Sequence, residues 1–350
     1  MVKIIAAKIL LLMFIFGLSI SLQAQTADTL GKLIKNGSIE VMKEYISVKL
    51  ALTNNVESFT VDDGIHSNEF VPNTSLATRF SFNYRVLSLS FSLAPKFIPG
   101  NDDDAIKGKT TNFGMSAGFT LSHWFTELAY NRTHGYYLEN TSDYNPAWKP
   151  GDPYSQIPDL IVTSIEGATG YSFNTRFSPA SLLTQTERQL KSAGSFIPLL
   201  SYKYYIVDDR SETGITQKSN NLQVLLGAGY HYNFVIKQKI YLYAGLTPSF
   251  GYIFTKLLTR FPTGYEHDHL KSPIFQLDGR VGAGYNGERF FGGGYITLTA
   301  SSYEEQGSAV TVGDGKSFYQ LFIGYRFRAP SFMTKTYDDV NKKVKNLTGM

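Results

Sequence analysis

Residues 86–93 read VLSLSFSL, with Leu87, Leu89, Phe91 and Leu93 on one parity and Ser88, Ser90 and Ser92 on the other. A strict two-residue period puts the apolar and hydroxyl side chains on opposite faces of one strand. Such a strand needs protein core or lipid against one face and water against the other. About twelve segments repeat the pattern: 44–53, 75–84, 86–94, 110–121, 123–132, 160–174, 195–207, 220–232, 239–250, 273–285, 288–300 and 317–327. Each is close to the ~9–11 residues that a tilted membrane strand requires. The composition suits this reading, with 25 Phe and 23 Tyr for pleated surfaces and 31 Gly for turns and crowded positions.

The connections alternate in length. Almost nothing separates the second and third segments or the fourth and fifth, and residues 233–238 and 286–287 are short links. The alternate links, 54–74, 95–109, 133–159, 208–219, 251–272 and 301–316, are long. A transmembrane antiparallel β-barrel has this asymmetry, with short periplasmic turns, long outer loops and an even strand number. A soluble periplasmic sandwich has no reason to gather its long loops at one end. The expected fold is therefore all-β: a barrel of about twelve strands with its apolar face toward lipid and its strand edges closed on one another.

The ends fit an exported chain. Residues 1–24 carry Lys3 and Lys8, a short apolar run from Ile9 to Leu18 and a small-residue stretch ending at Ala24, the pattern of a secretory signal peptide. The expected organisation is a signal peptide at 1–24, an N-terminal periplasmic segment at 25–43, the barrel at 44–328 and a C-terminal periplasmic tail at 329–350. Removing the leader leaves 31 Lys and Arg against 29 Asp and Glu, a formal charge of +2. That balance argues against nucleic acid as a partner. The chain has no Cys and so no disulfide framework.

The polar parity also carries charge. Arg79, Arg85, Glu127, Glu166, Asp278, Arg280 and Arg326 all fall on it and are expected to face the lumen. There they would either brace a closed barrel as ion pairs or line a channel and set ion preference. One connection breaks the length parity. Residues 177–194, FSPASLLTQTERQLKSAG, replace a short turn and read as a short helix near 178–193. Ser178 is the N-cap candidate, Pro179 takes the first position, Lys191 the last turn and Gly194 the end. This helix either restricts the lumen or lies on the surface of the periplasmic mouth.

The longest outer loop holds Tyr136, Tyr137, Tyr144, Trp148 and Tyr154 among four prolines. Stiff loops with rigid aromatics suit contact with an extracellular ligand, though packing over the barrel mouth is the more ordinary use of such residues. Asp102, Asp103 and Asp104 form an acidic cluster without calcium-loop spacing. Glu266-His267-Asp268-His269 would put both His on one face of an extended chain, but no partner to orient their rings is evident and no metal or cofactor is expected. Lipid-hydrolase barrels place a His-x-Ser on a strand. Here the residues two after His66, His123, His134, His231, His267 and His269 are Asn, Phe, Tyr, Asn, His and Lys. A non-enzymatic narrow or plugged pore or surface-binding barrel is the expected function. The alternatives are a lipid hydrolase with residues assembled across strands, and a scaffold docking periplasmic partners through the Lys-rich tail. Outer-membrane lipid and lipopolysaccharide are the expected surroundings.

Four segments, YRVLSLSFSLAPKF, DDDAIKGKTTNFGMSAGF, NRTHGYYLEN and FSPASLLTQTERQLKSAGSFIP, resemble successive parts of domain of unknown function 4421. The most specific are GYYLEN and TERQLKSAGS. The resemblance implies an outer-membrane barrel of Bacteroidetes-type bacteria. It carries over no catalytic residues, because the family has no established activity.

Overall fold

The computed structural model describes residues 33–54, 58–62, 67–121, 123–212, 214–304 and 311–348. The signal peptide expected at 1–24 lies outside them. In chain order the strands are β1 (Leu33–Lys35), β2 (Ile39–Val41), β3 (Tyr45–Thr53), β4 (Phe59–Asp62), β5 (Ser67–Val71), β6 (Ala77–Tyr84), β7 (Leu87–Leu93), β8 (Thr111–Leu121) and β9 (Trp124–Leu138). They continue as β10 (Ser155–Tyr171), β11 (Glu187–Gln189), β12 (Ala193–Asp209), β13 (Thr216–Ile236), β14 (Ile240–Phe261), β15 (Gly264–Asn286), β16 (Phe290–Glu304) and β17 (Thr311–Arg328). The helices are α1 (Asp104–Lys107), α2 (Thr141–Tyr144), α3 (Ala180–Leu183) and α4 (Ser331–Thr348). No helix among the described residues is long and apolar enough to cross a membrane.

Twelve strands pair antiparallel with their neighbours in the order β3, β6, β7, β8, β9, β10, β12, β13, β14, β15, β16, β17. β17 then pairs with β3, from Gln320 opposite Thr53 to Arg328 opposite Tyr45. The sheet is thus a closed barrel, with its backbone groups paired around the whole ring. Each strand keeps the two faces written in the sequence. Leu87, Leu89, Phe91 and Leu93 point outward and exposed, while Ser90 points inward and donates to the Ser81 hydroxyl at 3.0 Å. On β13 and β17 the outward Leu226 and Leu321 are 69% and 64% exposed. Aromatic rings gather on the outer surface at both rims. Tyr285–Phe290 and Tyr325–Phe327 lie near the short-turn end, and Phe250–Tyr252–Phe254 lie toward the other.

The strands exceed the sequence expectation at the long-loop end. Residues 251–272, expected as a loop, continue β14 and β15 as one hairpin paired out to Phe261 and Gly264. This stretch mixes apolar and polar residues on both faces, Tyr252 and Lys256 on one and Ile253 and Thr255 on the other, so alternation fades although the ladder hydrogen bonds persist. β4 and β5 form a hairpin that joins β9 through Phe70 and Val71. At the short-turn end, β13 and β14 are linked through Lys237, Gln238 and Lys239, the first two at positive φ (49° and 58°). Those are the values of the two central residues of a type I′ turn, which the Lys239 N–H closes on the Ile236 carbonyl at 3.2 Å.

Some glycines make room for rings inside the wall. A Cβ on Gly324 would stand 2.2 Å from the ring of Phe291, which is fully buried against Phe322 and Ala51. Gly324→Ala is expected to cost about 1–3 kcal/mol by overpacking, read as a lower denaturant midpoint of the folded barrel.

Candidate functional site

Between β10 and β12 the chain leaves the wall. The helix expected near 178–193 is a single turn, α3. Ser178 still caps it, its Oγ accepting the Ser181 N–H at 3.0 Å. Gln185 then takes φ of 54°, which ends the helix, and the chain straightens into β11. β11 pairs antiparallel with β2, Glu187 opposite Val41 and Gln189 opposite Ile39. β1, β2 and β11 make a three-stranded sheet at the short-turn end. Lys191 and Gly194 therefore end no helix, and Gly194 is part of β12. A helix over residues 178–193 would carry only a weak apolar stripe, so little packing would favour it over the strand. The competing strand needed a partner almost 150 residues away.

Two buried arginines lock this segment to the barrel. Arg326, fully buried on β17, donates from Nε to the Gln185 carbonyl at 2.8 Å. Its Nη1 reaches the Gly287 carbonyl at 2.6 Å and its Nη2 the Asn286 side-chain oxygen at 2.6 Å. Arg188 on β11 donates to the Glu40 carboxylate of β2. It also reaches the Asn286 carbonyl at 3.0 Å and the Gln238 carbonyl at 3.2 Å. Both guanidiniums thus tie the inserted segment to the turns that end β13 and β15. Lys49 adds a third tie from β3, its ammonium 2.9 Å from the Leu183 carbonyl. Phe177, Ala193 and Ile197 seal the join against Leu182, Phe125 and Tyr243. The segment is thus bonded to and packed against the inside of the barrel at its short-turn end.

Above the inserted segment the lumen widens in two stages. An inner cavity of about 580 Å³ has Phe177, Pro179, Leu182, Leu183 and Thr184 among its lining residues. An outer cavity of about 1090 Å³ lies beyond it, lined by residues of the barrel wall and of the β4–β5 hairpin. Their walls share Arg79, Ser90, Glu127, Glu166, Ala168 and Gln276. At this waist Arg79 donates to Glu127 at 2.5 Å and to the Ser116 hydroxyl at 2.6 Å. Glu166 stands 3.7 Å from Lys203 and accepts from Asn131 at 3.3 Å. On β15, Arg280 donates to Thr297 at 2.8 Å and lies 4.7 Å above the Tyr295 ring. Asp278 accepts from Thr299 at 2.5 Å and from Gln276 at 2.8 Å. Charges of both signs are anchored to the wall in small groups, which suits holding or passing a polar solute.

Arg79, Glu127, Glu166, Asp278 and Arg280 therefore line the lumen, and Arg326 is buried beneath it, bonded to the inserted segment. Arg85 does not join them. It sits at φ of 52° in the β6–β7 turn and pairs with Asp338 of α4 at 2.5 Å, with its guanidinium 4.4 Å from the Tyr337 ring. Its parity placed it inside, but parity is lost where the strand turns. The hydrogen bond from Arg85 holds the Asp338 carboxyl below the usual carboxylate range. Tyr337 also packs on Tyr84, so α4 rests against the foot of β6. Lys49, Lys203 and Arg188 escaped the sequence reading. Lys49 and Lys203 share the lumen-facing parity of flagged neighbours, which was the available signal, whereas Arg188 sat inside the supposed helix.

Tyr136 and Tyr137, expected in an outer loop, lie in the upper end of β9 and are 2% and 4% exposed, so they are core and not an outer contact surface. Tyr136 packs with Leu160 and Val162 beneath Phe59 and Phe70, because the β4–β5 hairpin covers it. Tyr144 remains exposed, and Trp148 and Tyr154 are half-buried, in contact at 4.8 Å between ring centroids. His267 and His269 share the outer face of β15, while Glu266 and Asp268 lie on the opposite parity, so the four do not converge. Among the described residues no group of three or more His, Asp or Glu is placed to hold a metal. Asp104 and Asp103 pair with Lys96 and Lys107. His231 faces the lumen, bonded to the Tyr243 hydroxyl at 2.5 Å and the Thr247 hydroxyl at 3.1 Å.

A closed twelve-stranded antiparallel barrel with an apolar outer surface, aromatic rims and a polar interior is an outer-membrane-type β-barrel. The chain belongs to the family described as Domain of unknown function (DUF4421), whose profile matches residues 38–327. No curated protein sequence matches it. Among solved structures it is similar to the outer membrane protease OmpT from Escherichia coli, at 10% identity and a TM-score of 0.33, covering 86% of this chain and 98% of that one. It is also similar to OmpT, an outer membrane protein of Vibrio cholerae, at 10% identity and a TM-score of 0.30, covering 85% and 100%. The transport unit of the autotransporter AIDA-I from Escherichia coli is similar at 10% identity and a TM-score of 0.31, covering 90% and 97%.

Proposed function

We propose that the protein resides in the outer membrane as a non-enzymatic barrel, a pore open to the outside and closed on the periplasmic side by its own plug. The observation that carries this reading is the floor: Arg326 and Arg188 tie residues 185–188 to the barrel's own turns, beneath a polar two-stage lumen. The short turns lie at the plugged end with β1 and α4, the first and last described elements, which supports a periplasmic position for that end by the length rule for such barrels. The wide end carries the long loops, with Tyr144, Trp148 and Tyr154 as candidate contacts for an extracellular ligand.

Single-channel recording in a planar bilayer tests the proposal. The refolded mature chain is expected to be nearly silent, and a variant lacking residues 181–190 is expected to conduct steadily. Retention of the folded barrel in the variant is read from its heat-dependent electrophoretic mobility. Steady conductance from the intact chain would replace the plugged pore by an open one. Silence from both folded proteins would leave a filled barrel whose loops do the binding.

A further inference from the structure

The outward faces of β13, β14 and β15 change character abruptly. From Ile240 to Phe254 the outward residues of β14 are apolar or aromatic, ending in Phe250, Tyr252 and Phe254. The next outward position is Lys256. In register, Lys256 lies opposite His269, and Phe254 lies opposite Lys271. Lys218 on β13 is paired with Leu258 and so lies diagonally beside Lys256. Lysines at such positions have Cβ atoms about 5–8 Å apart, close enough for two ammonium groups to meet one phosphate.

Depth and pairing both mark these lysines. Ile240 and Lys256 are separated by 16 residues. At a strand rise of about 3.3 Å and a tilt near 40°, that is roughly 40 Å along the barrel axis. A bilayer with its headgroup layers is about 40–45 Å thick. With Ile240 at the lower rim, Lys256 stands in the opposite headgroup layer. Lys271 lies 4.6 Å above the Tyr252 ring and 5.6 Å from that of Phe254, an ammonium held at the level of the aromatic girdle. Among the described residues Lys218, Lys256 and Lys271 make no ion pair. The nearby outward carboxylate, Asp208, is already taken by Arg260 at 2.8 Å and Arg210 at 2.9 Å. Glu266 and Asp268 are on the opposite parity of β15. The patch is an unneutralised cluster of point cations at the depth of lipid phosphates.

We propose that Lys218, Lys256 and Lys271 form a binding site for the phosphate groups of a phosphorylated lipid of the outer leaflet. This rests on the membrane placement proposed above. The barrel would then carry a preferred lipid on its β13–β15 face.

The test uses the full mature chain inserted in phosphatidylcholine vesicles containing diphosphorylated lipid A, then extracted and weighed by native mass spectrometry. The wild-type barrel is expected to retain lipid A, and the Lys218→Gln/Lys256→Gln/Lys271→Gln variant to retain about tenfold less or lower still. The corresponding triple Arg variant should retain it, and dephosphorylated lipid A should be held equally weakly by all three. Equal retention by the wild type and the Gln variant overturns the site. Displacement of lipid A by inorganic phosphate would overturn the lipid as ligand in favour of a soluble anion. Insertion is read separately, by protease protection of the strands. A chain that does not insert overturns the membrane reading, while one that inserts and ignores the lysines overturns only this proposal.

Discussion

Arg326→Met is expected to destabilise the folded barrel by about 3–5 kcal/mol in a denaturant titration. The guanidinium is fully buried and satisfies the Gln185 carbonyl, the Gly287 carbonyl and the Asn286 side-chain oxygen at once. Met fills similar volume and offers no donor, so several buried acceptors lose their partner, at about 1–3 kcal/mol each before relaxation. The same change detaches the plug from β17 while leaving Arg188 bound to Asn286 and Gln238. Fast-exchanging amides at residues 180–190 in hydrogen-exchange measurements are therefore expected alongside the lost stability. A variant with unchanged stability and a protected plug would show that the arginine does not hold the floor.

Leu89→Arg should cost about 2–4 kcal/mol when the barrel is refolded into vesicles, the range for a cation on the lipid face near the midplane. Leu89 is half-exposed on the outer face of β7, near the middle of its four outward apolar residues. Ser90→Arg places the same charge one residue along, on the wall shared by the two lumen cavities. There it can be solvated, and the expected loss is much smaller, chiefly the broken contact with Ser81. Equal costs for the two variants would overturn the assignment of faces on which the whole membrane reading depends.

Much of this protein is written locally. A period of two needs only a few residues to appear, so the faces of β7, β8 and β17 were legible, as were the twelve strands and the alternation of short and long links. Arg79, Glu127, Glu166, Asp278 and Arg280 could be placed inside by parity alone. The Gly251–Ser272 stretch could not be read as strand, because beyond the apolar band neither face needs to be apolar and only the ladder bonds remain. Arg85 failed for the reverse reason: a turn one residue past β6 rotates it out of register, where α4 receives it.

The tertiary structure alone decided what the lumen is. Which charges meet depends on inter-strand register, and register cannot be read from one strand, so the pairing of Glu166 with Lys203 appears only in the fold. The plug depends on still longer reach. β11 exists because β2 pairs with it, and Arg188 is held by Glu40, 148 positions earlier, and by Asn286, 98 positions later. In isolation TERQLKS leans toward helix, since Glu, Arg, Gln, Leu and Lys are all good helix formers. The short-turn end of the barrel supplies the partners that turn it into a strand and hold it there.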